Sequence, residues 1–267
     1  DIDLDEDGVL LNGIINLENN NQLSAFNTGK RQGIKISPAN TLTYLSMNYP
    51  DLDQKNENQR RFPAYYDLIK LTDEFFKIRT TSSVLYGFHL KDAKEGIDFL
   101  KEISNEHSTF RDKQIYQLDK TDILSDFKAI DTHKVDFFTQ IEDFILLSDQ
   151  LNALKNNIIS YQNNSLLNST PYINLIDENL TEKQNYFGLV NFEQLSKTET
   201  GLIRPKLFNK IKDINFNGSK ILSFQINNQD DINYLSTFIP FNQKSTQSSQ
   251  PSQINRITIE KAIAKRP

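Results

Sequence analysis

The sequence predicts an α+β fold, a mostly antiparallel sheet with helices packed on one face. Stretches with period-two alternation recur along the chain, interleaved with stretches at helical spacing. The two kinds follow one another too irregularly for a doubly wound parallel sheet. Among 267 residues, 18 Phe and 10 Tyr supply bulky apolar groups for a core, which excludes global disorder.

The elements follow in order. Ile2 and Leu4 alternate with acids, Asp7-Gly8 supplies a hairpin turn, and Val9 to Ile15 forms the return strand. Asn19 to Gln32 is a polar loop, and Pro38 closes the short segment Ile34 to Ser37. Thr41 to Tyr49 alternates and is a strand; Asp51 to Arg61 is a polar connector. Pro63 opens a helix over Ala64 to Ile78, on which Tyr65, Leu68, Ile69, Thr72, Phe75 and Phe76 form an inward stripe. Ser83 to Leu90 is a strand and Asp92 to Ile103 a helix. Gln114 to Leu118 is a short strand, Asp122 to Ile130 a short helix, and Val135 to Phe138 with Glu142 to Leu147 a strand pair. Helices follow at Asp149 to Ser160 and Thr170 to Leu180, then a strand at Tyr186 to Phe192 and a short helix at Pro205 to Ile211. Lys220 to Ile226 and Asn233 to Phe241 pair around a polar turn. A weak internal echo, strand then acid then Ala then helix, links Val84 to Ile103 with Phe144 to Ile159.

Residues 34–242 therefore form the main domain. Residues 1–33 are an N-terminal hairpin and loop belonging partly to an upstream region. Residues 243–254 are a Ser/Gln-rich linker, and residues 255–267 an isolated strand of a truncated downstream domain.

Composition removes several classes of function. The net charge is -5 and basic residues are mixed with acids, so no basic stripe for nucleic acid exists. There is no Cys, hence no thiol catalysis, disulfide or thiolate metal site. No apolar run approaches the roughly 20 residues of a membrane helix. Serines lack a Gly-x-Ser-x-Gly elbow, and the glycines form no phosphate loop. His89, His107 and His133 share no ligand spacing. The acid pairs Asp73-Glu74 and Glu142-Asp143 are sequence neighbours whose side chains do not converge on one substrate. Neither a catalytic residue nor a cofactor is expected. The one metal candidate is Asp3, Asp5 and Asp7 before Gly8, the first half of a calcium loop; the closing bidentate Glu of such a loop would fall at Ile14.

The stretch Phe144 to Gln194 carries an apolar strand ending in Ser148-Asp149, a helix beginning Leu151-Asn152-Ala153-Leu154-Lys155, a Ser/Asn-rich spacer, and the strand Tyr186-Phe187-Gly188-Leu189-Val190-Asn191. It resembles an uncharacterised family of exported bacterial proteins, many of them lipoproteins, known only as a domain of unknown function. Asp5 to Asn16 and Ile257 to Pro267 resemble pieces of long Bacteroidetes-type relatives, the latter as the first strand of a β-rich repeat domain. The resemblance implies an extracytoplasmic setting, in the periplasm or at the cell surface, with membrane contact only through an upstream lipid anchor. It implies a structural or interaction role with a protein partner or neighbouring domains, and no reaction. The alternatives are a module binding a glycan, small molecule or calcium, and a carboxylate-dependent hydrolase.

Overall fold

The computed structural model describes residues 1–4, 6–15, 27–48, 66–124, 133–192, 221–229 and 232–241. Their strands are β1 (Ile2–Leu4), β2 (Gly8–Ile15), β3 (Gly29–Lys30), β4 (Thr43–Asn48), β5 (Thr72–Arg79), β6 (Val84–Leu90), β7 (Ser104–Phe110) and β8 (Lys113–Leu118). They continue with β9 (Phe137–Ile141), β10 (Phe144–Ser148), β11 (Lys183–Gln184), β12 (Tyr186–Asn191), β13 (Ile221–Gln229) and β14 (Ile232–Pro240). The helices are α1 (Tyr66–Lys70), α2 (Ala93–Glu102), α3 (Leu151–Gln162) and α4 (Pro171–Asn179).

Twelve strands form one sheet in the order β1-β2-β14-β13-β12-β4-β5-β6-β10-β9-β8-β7, antiparallel at every pairing. β3 and β11 make a separate two-stranded ribbon. This corrects the expected α+β arrangement: the fold is mostly β, and its helices do not share one face. Phe76, Ile78 and Leu146 point to the side covered by Leu154 and Ile158 of α3 and Ile173 and Ile176 of α4. Phe75, Phe88, Ile145 and Leu147 point to the other side, against Leu68 and Ile69 of α1 and Ile97 and Leu100 of α2.

The longest misreading lies at Ala64 to Ile78. The helix ends at Lys70, and Thr72–Arg79 is a central strand. Phe75 and Phe76 are both fully buried because β5 is covered on both faces, so consecutive apolar residues serve opposite cores. That run overlaps the 3.6 spacing of the preceding helix and hides the boundary. A strand signal was also absent at Ser104–Phe110. This is an edge strand of largely exposed polar residues, defined by its pairing with β8 across Arg111-Asp112, where both φ angles are positive as a two-residue type I′ turn requires.

The hairpin β1–β2 joins the same sheet, since β2 pairs with β14 from Gly8↔Pro240 to Ile15↔Asn233. β6 and β10, the strands of the internal echo, are antiparallel neighbours, but their following helices α2 and α3 lie against opposite faces. The echo is thus confined to the strands. The connector Asp51 to Arg61, the helix at Pro205 to Ile211, the linker and the last strand lie outside the described residues, as does most of Asp122 to Ile130.

Glycine is required where strands crowd. A Cβ on Gly87 would stand 2.0 Å from Cζ of Phe76 on the neighbouring strand. The bare backbone of β6 lets that ring lie flat on the sheet.

Candidate functional site

Of the residues singled out from sequence, Asp73 and His89 stand together, with 3.7 Å between Asp73 and His89 Nδ1. Asp3 lies on β1 opposite Leu10, Asp7 precedes β2, and Asp5 is outside the described residues. Among the described residues, no group of three or more His, Cys, Asp or Glu gathers to hold a metal. His89 sits on β6, His107 on the β7 edge, and His133 ahead of β9. Glu142 occupies the turn between β9 and β10, where its carboxylate accepts from the Tyr161 hydroxyl and pushes that phenol up to about 12.

Sequence reading named Glu74 only as the neighbour of Asp73 and missed its burial. Glu74 is fully buried on β5. Its Oε1 accepts from the Tyr44 hydroxyl at 2.6 Å, and its Oε2 accepts from the backbone N–H groups of Gln32 at 2.7 Å and Gly33 at 2.8 Å. Burial pushes the Glu74 carboxyl up to about 7, against the lowering pull of those donors. Burial and the neighbouring carboxylate hold the Tyr44 phenol well above its usual value. Tyr44 stacks on Phe76, with ring centroids 5.9 Å apart, which seals the pair from that side. A sequence reader sees only an acid beside an aromatic pair; nothing local announces that residues 32 and 33 will close over it.

The same polar cluster clamps the β3–β11 ribbon onto the sheet. Arg31 is nearly buried, lies over the Phe187 ring at 4.8 Å, pairs with Asp177 of α4, and donates to the Thr181 carbonyl at 3.1 Å. Asn48 Nδ2 donates to the carbonyls of Gly29 at 3.1 Å and Gln184 at 2.7 Å. Asn157 of α3 donates to the Ile36 carbonyl at 3.0 Å. These bonds tie segment 27–37 to the Thr181 and Gln184 backbone, to β4 and to α3.

Beside the ribbon lies a shallow polar cleft of about 350 Å³, with Lys30, Lys91, Lys183, His89, Asp73 and Asn48 around it. Lys30 and Lys183 stand opposite each other in register, but Lys30 pairs with Glu182, and Lys91 lies 3.8 Å from Asp73. Asp73 also lies 3.7 Å from His89 Nδ1, whose pKa is lowered, chiefly by burial. Glu74 does not line this cleft. Its two oxygens are occupied by donors of the fold: Tyr44, Gln32 and Gly33.

The open end of the sheet is different. The exposed large apolar side chains among the described residues are Ile2 (64%), Leu4 (58%), Ile14 (70%), Ile232 (40%) and Tyr234 (40%). All five belong to β1, β2 and β14, the adjacent strands at one edge. Tyr234 pairs directly with Ile14, and Ile2 and Leu4 pair with Leu11 and Val9.

No protein-family profile, curated protein or solved structure matches the chain. No helix of the described residues is long and apolar enough to cross a membrane.

Proposed function

We propose that this chain is a non-enzymatic interaction module of a larger exported bacterial protein, and that it docks a protein partner at the β1–β2–β14 end of its sheet. The observation that carries this reading is the gathering of all five exposed large apolar residues on those three strands. Side chains alternate across a sheet, so Ile2 and Leu4 lie on one face of this edge and Ile14, Ile232 and Tyr234 on the other. Apolar residues gathered at a sheet edge mark association surfaces, whereas scattered single residues do not. The perturbed acid Glu74 supports the non-enzymatic part, because it serves the Gln32–Gly33 turn and Tyr44 and does not open to the cleft. The exported setting is supported by the resemblance of Phe144 to Gln194.

The test is photo-crosslinking in the native host. A benzophenone side chain at Leu4 or Ile14 is expected to capture one protein, while the same probe at Asn105 on β7 captures none. Absence of an adduct at both apolar positions, or efficient hydrolase turnover by the purified chain, overturns the proposal.

A further inference from the structure

We infer that β1 receives an extended protein segment in which apolar residues alternate with lysine or arginine, added as a thirteenth strand of the sheet. This rests on the interaction reading above and names the chemistry of the partner.

The backbone comes first. Asn12 N–H donates to the Asp1 carbonyl at 2.9 Å, so Asp1 and Asn12 form a hydrogen-bonded pair of the β1–β2 ladder. Antiparallel ladders alternate bonded and non-bonded pairs. Asp3–Leu10 is therefore the next bonded pair, while Ile2 and Leu4 turn their N–H and C=O groups away from β2, toward the edge that no other described strand covers. An incoming strand meets these groups in ladder register, the main-chain part of strand addition.

The side chains then specify the pattern. Ile2 and Leu4 share one face with Val9 and Leu11, and Val9 continues that apolar stripe to Ile239 of β14. A segment pairing with β1 places alternate residues beside Ile2 and Leu4, where apolar side chains extend the stripe. The residue between them falls beside Asp3 on the opposite face. Asp1, Asp3, Glu6 and Asp7 lie on or beside this hairpin edge, and no Lys or Arg occurs in the sequence before Lys30. A cation beside Asp3 is favoured and an anion opposed. The same charge disfavours a second copy of this chain: antiparallel self-pairing centred on Asp3 sets Asp3 against Asp3 amid both acidic runs.

The other edge sharpens the contrast. β7 exposes Asn105, Glu106, His107 and Thr109 and carries an irregularity between Glu106 and Ser108, the devices by which sheets discourage edge pairing. β1 carries apolar side chains in their place.

The test is titration of the whole chain at low salt with a short capped peptide of valine alternating with lysine, read by calorimetry and by backbone amide shifts. Binding with shifts centred on Ile2 to Leu4 is expected. A glutamate-for-lysine peptide is expected to bind at least ten-fold more weakly, and methylation of alternate peptide amides to abolish binding. Equal binding of the lysine and glutamate peptides, shifts centred elsewhere, no binding, or a stable homodimer built on β1 would each overturn the inference. An adduct captured at Leu4 or Ile14 in the cell keeps the interaction reading standing even then, so the two fail separately.

Discussion

The Tyr44 hydroxyl donates a 2.6 Å hydrogen bond to Glu74 Oε1, and both side chains are fully buried between β4 and β5. This pair joins the central sheet to the segment carrying Gln32 and Gly33, and it makes stability depend on the protonation of Glu74.

Glu74 takes up its proton at about 7 in the folded chain, against an ordinary value of 4.5. Between those two values the folded state binds more protons than the unfolded state, so stability falls as pH rises through the window. The full difference corresponds to roughly 3 kcal/mol. Glu74→Gln removes this slope. Urea unfolding of both proteins from pH 4.5 to 8 is expected to show the variant gaining on the wild type as pH increases, and parallel profiles contradict the assignment.

Tyr44→Phe deletes the phenolic donor to Oε1 and leaves that oxygen without it in a buried site. A loss of about 1–3 kcal/mol is expected at pH 8. Because the Tyr44 bond lowers the Glu74 value, its removal also moves the Glu74 transition to higher pH. Thermal melts across the pH range read both effects.

Gly87→Ala drives a methyl group into the buried ring of Phe76, at 2.0 Å from Cζ. The ring is fixed between Tyr44 and Phe144 and yields little. Destabilisation of about 1–3 kcal/mol or more is expected. A melting temperature equal to that of the wild type would show that the strand spacing at β5–β6 is wrong.

Asn48→Ala withdraws the amide that holds the Gly29 and Gln184 carbonyls. The expected result is faster amide exchange at Lys30 and Lys183, with the centre of β5 and β6 unaffected. Uniform loss of protection across the sheet would mean that Asn48 supports the whole fold and not the ribbon alone.

Legibility in the sequence followed alternation, turn residues or the shortness of an apolar run. β4 was visible as alternation over Thr41 to Tyr49, β13 and β14 as a pair about a polar turn, and β10 as a short apolar run although it is buried throughout. β5 was not, because its covering on both sides makes consecutive Phe residues equivalent and mimics a helix continuing from α1. The helices α2, α3 and α4 were legible, yet their faces were not: which side of a sheet a helix covers is decided by the chain path, and Ile97 and Ile158 look alike in sequence while serving opposite cores. Glu74 was invisible as a buried acid because its donors come from residues 32, 33 and 44, far along the chain. Asp3, Asp5 and Asp7 were read as calcium ligands, but Asp3 lies on the edge strand β1 opposite Leu10, Asp7 precedes β2, and Asp5 is outside the described residues.

Amide hydrogen exchange at Ile2 and Leu4, in the free chain and with its captured partner bound, tests the docking edge most directly. The account predicts rapid exchange at both when free, since their N–H groups face away from β2, and at least ten-fold slowing in the complex with Asn105 and Thr109 of β7 unchanged. Slow exchange at Ile2 and Leu4 in the free chain, or no slowing when the partner binds, contradicts it.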